Sequence, residues 1–277
     1  DLTYGCKKKA YGPACAHLGE MYLNGIATEM DTEKALALFQ EACKAKDPYG
    51  CYIEGDIRYR SEEFDIALEK YKIGCGSGYT DACVKIGKMY KFGQGTTISP
   101  EKAFEYYDHA CKTSDTEACF QLAIMYETGE GTQADPIKAQ EAYKTGCQKN
   151  HPGSCGKYGT ALINNGEVEI GFPYVELACL KDDQIGCLSL AKLYKIGSGT
   201  EQDLVKSYQY FKVACQSSEQ ACLEIAGMLN SGQGVEQNTE SAFKAYGELC
   251  SKQNIEACYY QGTFYEKGRG VAQDINK

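Results

Sequence analysis

The chain has 277 residues, of which 43% are apolar and 24% are charged, and its formal net charge is −9. It contains no apolar run long enough for a transmembrane helix, so we expect no membrane insertion. The surplus of acidic groups argues against nucleic acid and anionic membranes as main partners. The three histidines, at positions 17, 109 and 151, are too few for a His-rich metal site, and we expect neither a metal nor a cofactor.

Sixteen cysteines stand in eight pairs, and the two members of a pair are seven to nine residues apart. The first member recurs every 32 to 37 residues, which indicates an internal repeat with eight copies. No C-x-x-C motif is present, which excludes a zinc ribbon or a thioredoxin site. The pairs are Cys6 and Cys15, Cys43 and Cys51, Cys75 and Cys83, Cys111 and Cys119, Cys147 and Cys155, Cys179 and Cys187, Cys215 and Cys222, and Cys250 and Cys258.

Each copy has the pattern of two amphipathic helices, as the fourth copy shows. Ser99 is a typical N-cap and Pro100 suits the first helical position. Apolar residues then recur at spacings of three and four, and a second helix follows a short turn and ends at Gly129. Equivalent N-caps are predicted at Asp31, Ser61 and Asp203.

The repeat predicts an all-α solenoid that forms a single domain over residues 1–277, because one hairpin cannot bury its own apolar face. Two copies lack four residues before their first helix, which places the deletions in surface loops. Residues 269–277 begin a further, truncated copy, so we expect the natural protein to continue or its end to fray. The predicted hairpins are 1–24, 31–60, 61–93, 99–129, 135–165, 167–197, 203–232 and 239–268.

The two cysteines of a pair fall at facing ends of a helical hairpin, within reach of one disulfide. We therefore predict eight bonds between neighbours, from Cys6–Cys15 to Cys250–Cys258. Such bonds require an oxidising compartment, so we expect a secreted or periplasmic protein whose leader has been removed before Asp1. The alternative is a cytosolic scaffold with sixteen reduced, buried thiols.

Two helical positions distinguish a packed face from a variable face. The residue four after the second cysteine is Gly or Ala in every copy, which predicts close helix contact there. The residues two and five after it vary, and they form either plain solvent surface or a binding surface. The central copies are rich in Lys, which suits an acidic peptide or a terminal carboxylate. The candidate binding residues are Lys85, Lys88, Gln121, Ile124, Lys157, Thr160, Ser189 and Lys192.

The pattern resembles the Sel-one-like repeat, a relative of the tetratricopeptide repeat. The residues that carry the resemblance include Gly87-Lys88-Met89-Tyr90, Glu101-Lys102-Ala103, Tyr107 and Ala110-Cys111. The cysteine pairs resemble the Helicobacter cysteine-rich protein family. These resemblances imply a right-handed α/α superhelix with the second helices on its concave face, an extracytoplasmic location and a host-facing or peptide-binding role. Some members of that family bind penicillins and hydrolyse β-lactams slowly.

A serine β-lactamase would need S-x-x-K, S-D-N and K-T-G elements. The repeat register explains Lys102, Lys244 and the K-T-G match at 144–146, and S-D-N does not occur. We therefore predict no catalytic residue and expect a monomeric scaffold that binds a peptide or protein, with a host protein as one candidate. Slow β-lactam hydrolysis is the alternative. The S-x-x-K matches are Ser99/Lys102, Ser154/Lys157, Ser189/Lys192 and Ser241/Lys244.

Overall fold

The computed structural model of the chain describes residues 2–9, 11–113 and 115–274, which contain sixteen α-helices and no β-strand. Residues 275–277, on which the expectation of a continuing or frayed end depends, lie outside the described residues. The helices are α1 (Leu2–Lys9), α2 (Gly12–Asn24), α3 (Thr32–Lys44), α4 (Pro48–Arg60), α5 (Phe64–Gly76), α6 (Thr80–Phe92), α7 (Pro100–Lys112), α8 (Thr116–Thr128), α9 (Pro136–Gln148), α10 (Pro152–Asn164), α11 (Val168–Cys179), α12 (Gln184–Ile196), α13 (Leu204–Ala214), α14 (Glu219–Ser231), α15 (Thr239–Ser251) and α16 (Ile255–Lys267).

The chain forms two compact units, Asp1–Ala142 and Tyr143–Lys277. Within each unit, helices pack mainly on their neighbours along the chain, as in a helical repeat solenoid. The prediction of an all-α repeat fold is therefore confirmed. None of the helices in the described part of the chain is both long enough and apolar enough to cross a membrane.

Side chains that accept backbone N–H bonds start most helices. The predicted caps Asp31, Ser99 and Asp203 each accept from the amide three residues later. The prediction for Ser61 is wrong, because Ser61 caps the C-terminus of α4 and α5 starts after Glu63 without a side-chain cap. Only three residues connect α4 to α5, too few for the seven-residue loop that provides the cap elsewhere. Caps at the starts of later even-numbered helices, absent from the sequence prediction, are Asp47, Asp115, His151, Asp183, Ser218 and Asn254.

The structure contains the eight disulfides that the spacing predicts, and no described cysteine is free. Each bond joins the end of an odd-numbered helix to the start of the next even-numbered helix. The paired Cα atoms are 4.4 to 4.9 Å apart, within the range that a disulfide spans. The bonds therefore fix the turns between helices, and the alternative of sixteen reduced thiols is not what the structure contains.

Close helix contacts lie where an even-numbered helix carries Gly four residues after its cysteine. A Cβ atom added at Gly19 would lie 3.1 Å from the ring of Phe39, and one at Gly87 would lie 2.7 Å from Tyr107. Both rings belong to the following odd-numbered helix and are fully buried. The predicted close contact is therefore between an even-numbered helix and the odd-numbered helix after it.

Removing one disulfide should lower stability without changing the fold. A Cys111→Ala/Cys119→Ala variant should lose about 2.5 kcal/mol of unfolding free energy, because the unfolded chain gains the entropy of an open loop. Guanidinium unfolding monitored by circular dichroism measures the loss. An unchanged unfolding midpoint would show that this bond does not restrict the unfolded chain.

The same substitution at two positions of one register should have opposite effects. Gly87→Ala should destabilise the protein by about 1–3 kcal/mol, because Tyr107 and its neighbours must shift. Gly262→Ala should stabilise it by up to about 1 kcal/mol, because no atom lies within 4 Å and Ala favours the helix. Thermal unfolding of both variants compares them; equal shifts would contradict the packing explanation.

Candidate functional site

The candidate residues lie on the surface that we call the even-helix face. It consists of the positions two and five residues after the second cysteine of each pair, on the even-numbered helices. In the first unit, Lys85 Nζ lies 2.9 Å from Asp56 Oδ1, and Lys88 Nζ lies 3.3 Å from Glu117 Oε1. Asp56, Lys85 and Lys88 occupy face positions in consecutive copies. The face therefore carries polar bridges from one copy to the next.

The second unit continues this pattern with different chemistry. The hydroxyl oxygens of Thr160 and Ser189 are 2.7 Å apart, and Lys192 Nζ donates to Gln220 Oε1 at 3.0 Å. Lys157 Nζ lies over the ring of Tyr143 at 5.9 Å. Thr160 and Lys192 therefore each bond a side chain of the next even-numbered helix, as Asp56 and Lys88 do in the first unit.

These bridges change the electrostatic character that the sequence predicts for the face. Lys85 and Lys88 keep 35% and 43% of their side-chain surface exposed, but each has a carboxylate beside it. Gln121 accepts from Lys91 at 3.4 Å and donates to Glu117 at 3.1 Å. The candidates Lys85, Lys88, Gln121 and Ile124 share the face in the first unit, and Lys157, Thr160, Ser189 and Lys192 share it in the second.

A cleft of about 230 Å³ interrupts the face between α14 and α16. Gly227 occupies a position five after the cysteine and has no side chain to bridge to the next copy. The opening is lined by Glu224 and Glu256 and by the rings of Tyr246 and Tyr260, whose centroids are 5.1 Å apart. Burial raises the pKa of Tyr246 to about 12, so its hydroxyl stays protonated at neutral pH.

This cleft was missed in the sequence analysis, which selected lysine-rich central copies. The signal was nevertheless present, since Gly227 is the one Gly among the residues five after the second cysteine. A cleft with two carboxylates and two aromatic rings suits a cationic group, which carboxylates attract and ring faces stabilise. Glu224 already contacts Lys195 Nζ at 2.6 Å, so part of its charge is compensated.

The S-x-x-K serines are in structural positions. Ser99 caps α7, and the hydroxyl of Ser154 is buried against His151 Nδ1 at 3.1 Å. Ser189 bonds Thr160, and the Ser241 amide donates to the cap Asn238. The paired lysines contact other groups: Lys102 lies over Tyr90, Lys157 over Tyr143, Lys192 bonds Gln220 and Lys244 pairs with Glu240.

In the described residues, one group with the composition of a metal site comes together, at Cys75, Cys83 and His109. Both sulfur atoms belong to the Cys75–Cys83 disulfide. A metal binds cysteine as the thiolate, so this group offers at most the imidazole while the bond is intact.

Burial divides the helix-capping carboxyls into two classes. Burial raises the pKa of Asp115 and Asp183 above the ordinary value of 3.8. The pKa values of Asp135 and Asp203 are lowered, chiefly by the backbone amides of Lys138 and Lys206, which stabilise the ionised cap. The pKa of Asp31 is also lowered, chiefly by the hydrogen bond from the Lys34 side chain.

The family model described as the Sel1 repeat matches most of the chain. Each full match begins near the start of an even-numbered helix and runs into the next odd-numbered helix. In this register the disulfides join consecutive repeats rather than the two helices of one repeat. The matched residues are 12–47, 80–112, 116–151, 185–218, 219–244 and 255–277.

Solved structures similar to this chain come from several bacteria. A protective antigen of uropathogenic Escherichia coli strains that displays an SLR fold has a TM-score of 0.82 and 23% identity, over 100% of this chain and 62% of that one. A Sel1 repeat protein from Oxalobacter formigenes has a TM-score of 0.69 and 24% identity, over 81% and 94%. Helicobacter pylori cysteine rich protein B is 28% identical over 46% of this chain and 95% of that one, with a TM-score of 0.37.

This chain therefore spans less than two thirds of the length of the Escherichia coli protein. No curated protein matches the sequence significantly.

Replacing two caps by Asn should change the pH dependence of stability in opposite directions, since Asn preserves the cap bond. The pKa of Asp203 is lowered, so its ionised form stabilises the fold above pH 3.8 and this contribution is lost as pH falls through the lowered pKa. Asp203→Asn should therefore be less stable than the parent at neutral pH and equal to it in strong acid.

The pKa of Asp183 is raised, so its ionisation costs stability as pH rises above 3.8. Asp183→Asn should gain stability relative to the parent over that range. Urea unfolding between pH 3 and 7 measures both differences. Parallel curves for the two variants would contradict the assignment of burial as the cause.

Proposed function

Because the chain belongs to the Sel1 repeat family, we propose that it is a scaffold that binds extended protein segments along the even-helix face of each unit. Repeats of this kind generally bind peptides or proteins, since stacked helices present one continuous surface. The supporting observation is the cleft between α14 and α16, where the bridges of the face are interrupted and two acidic groups lie beside two rings.

The chemistry of the face favours a basic segment. The lysines Lys85 and Lys88 have carboxylate partners, which reduces their attraction for an acidic ligand. The cleft instead presents Glu224, Glu256 and the face of Tyr260. A Lys or Arg side chain would gain carboxylate bonds and a cation–π contact there. The remaining candidate residues would contact the backbone of the segment in each unit.

The location forms part of this proposal. Eight disulfides suggest an oxidising, extracytoplasmic environment. We infer that the protein is secreted or periplasmic and faces a host. The Escherichia coli neighbour is a protective antigen, and at 23% identity it supports the shared fold rather than a shared partner.

Selection from a displayed library of random dodecapeptides should enrich sequences with a central Lys or Arg. A synthetic peptide from that selection should bind at least tenfold more weakly to a Glu256→Gln/Tyr260→Ala variant, because hot-spot anchors in a cleft dominate affinity. Fluorescence anisotropy of the labelled peptide measures the affinities. In the same unit, Glu240→Gln is the control, since Glu240 is exposed on α15 and pairs with Lys244.

A Lys157→Ala/Lys192→Ala variant, in the same unit as the cleft, tests the rest of the face there and should weaken binding of a long selected peptide. For a peptide that binds the first unit, Lys88→Ala/Ile124→Ala is the corresponding variant. Enrichment of acidic peptides, or equal binding to the cleft variant and its control, would contradict the proposal.

A further inference from the structure

The second copy departs from all others at two positions of its even-numbered helix. Glu54 stands three residues after the cysteine of α4, and Arg58 stands seven after it. The other seven copies have neutral residues at both positions. At the first position these are Leu18, Ile86, Leu122, Tyr158, Leu190, Ile225 and Gln261, and at the second they are Tyr22, Tyr90, Tyr126, Leu162, Tyr194, Leu229 and Tyr265.

In the third copy an aromatic pair fills the corresponding space. Tyr90 on α6 stacks on Tyr106 on α7, with ring centroids 5.9 Å apart. Lys102 Nζ covers the Tyr90 ring at 5.2 Å. The sixth copy repeats this arrangement with Tyr194, Tyr210 and Lys206.

The second copy changes every member of that arrangement. Arg58 stands for Tyr90, Lys70 stands for Tyr106 and Ile66 stands for Lys102 in the repeat register. Between α3, α4 and α5 the result is a cleft of about 320 Å³. It is lined by Gln40, Lys44, Glu54, Arg58, Ile66 and Lys70.

Two charged side chains that line this cleft each have one buried atom without a hydrogen bond. Glu54 is only 3% exposed, and its Oε2 atom is buried without a hydrogen bond. Arg58 binds Glu63 through Nη1 at 2.7 Å, but its Nε atom is buried without an acceptor. Lys70 Nζ lies 3.7 Å from Glu54 Oε1, beyond hydrogen-bonding distance.

Such groups cost stability unless something pairs with them. We propose that the cleft binds a free α-amino acid, whose ammonium group pairs with Glu54 and whose carboxylate pairs with Arg58 and Lys70. Glu54 Oε2 lacks a donor and Arg58 Nε lacks an acceptor. A ligand that carries a donor and an acceptor close together, as a zwitterion does, matches both atoms. The flexible Lys70 side chain moves from above Glu54 to admit the ammonium group.

The volume of the cleft indicates the size of the side chain that the ligand carries. Other copies fill the same space with tyrosine rings, and Ile66 supplies an apolar wall. A large side chain, aromatic above all, replaces the contacts that the missing rings make elsewhere. Burial also raises the pKa of Glu54 and outweighs the opposing effect of Lys70 and Arg58, so the carboxylate is incompletely stabilised by its neighbours.

Calorimetric titration of the disulfide-intact protein at pH 7 tests the proposal with three compounds. L-phenylalanine should bind. N-acetyl-L-phenylalanine lacks the ammonium group and L-phenylalaninamide lacks the carboxylate, so each should bind at least about tenfold more weakly because one charged hydrogen bond is lost. NMR chemical shifts of the protein provide a second measurement of binding. If L-phenylalanine produces neither heat nor a chemical-shift change, or if either analogue binds equally well, the zwitterion assignment is wrong.

Variants locate the site. Glu54→Gln should reduce the affinity for L-phenylalanine at least about tenfold. Glu69→Gln is the matched control, because Glu69 also lies near Lys70 but is exposed. A Glu54→Ile/Arg58→Tyr/Lys70→Tyr variant installs the residues of the third copy and should abolish binding while raising the unfolding temperature. Retained binding in Glu54→Gln would place the amino acid elsewhere and overturn the proposal.

Discussion

The close packing of a buried side chain onto a Gly or Ala, four residues after the cysteine of an even-numbered helix, is the contact on which the repeat depends. Phe39, Tyr71 and Tyr107 lie over Gly19, Gly55 and Gly87, and all three rings are fully buried. A Cβ atom at any of these glycines would lie 2.7 to 3.1 Å from the ring, so the ring has to shift when Ala replaces Gly there. This contact joins the two helices of one Sel1 repeat, whereas the disulfides join that repeat to its neighbour. From α2 to α8, packing contacts and disulfides therefore alternate along the chain.

The sequence predicted the helices and the cysteine pairs because both follow a period. Asp31, Ser99 and Asp203 each end a loop of seven residues, and their role as caps could be derived from one copy. The prediction for Ser61 was wrong because its loop is four residues shorter. Ser61 therefore follows the end of α4 directly and lies too early to cap α5. The caps Asp115 and Asp183 follow tight turns with no apolar periodicity to mark the helix start. Only the backbone geometry locates them.

The candidate face was harder to predict, because variation between copies has two causes. Asp56 and Lys85 differ from their equivalents since they bond one another, as do Thr160 and Ser189. A single copy does not contain both partners, so the pattern within one repeat resembles free variation. The cleft beside Tyr260 depends on the missing side chain of Gly227. A missing side chain changes the surface only through the residues around it, which the sequence does not place together.

Positions that change together between copies indicate which residues of a repeat protein contact each other. Where the position seven after the cysteine is Tyr, as in Tyr22 and Tyr126, the next helix places Lys34 or Lys138 over the ring at 5.5 or 5.6 Å. Where that position is Leu162, the next helix has Ile170, because a lysine has no ring to cover. A random substitution would change one member of such a set and leave its contacts unsatisfied. In the second copy the whole set changes together and leaves charged groups beneath an open cleft, so its residues follow a requirement other than the packing of the repeat.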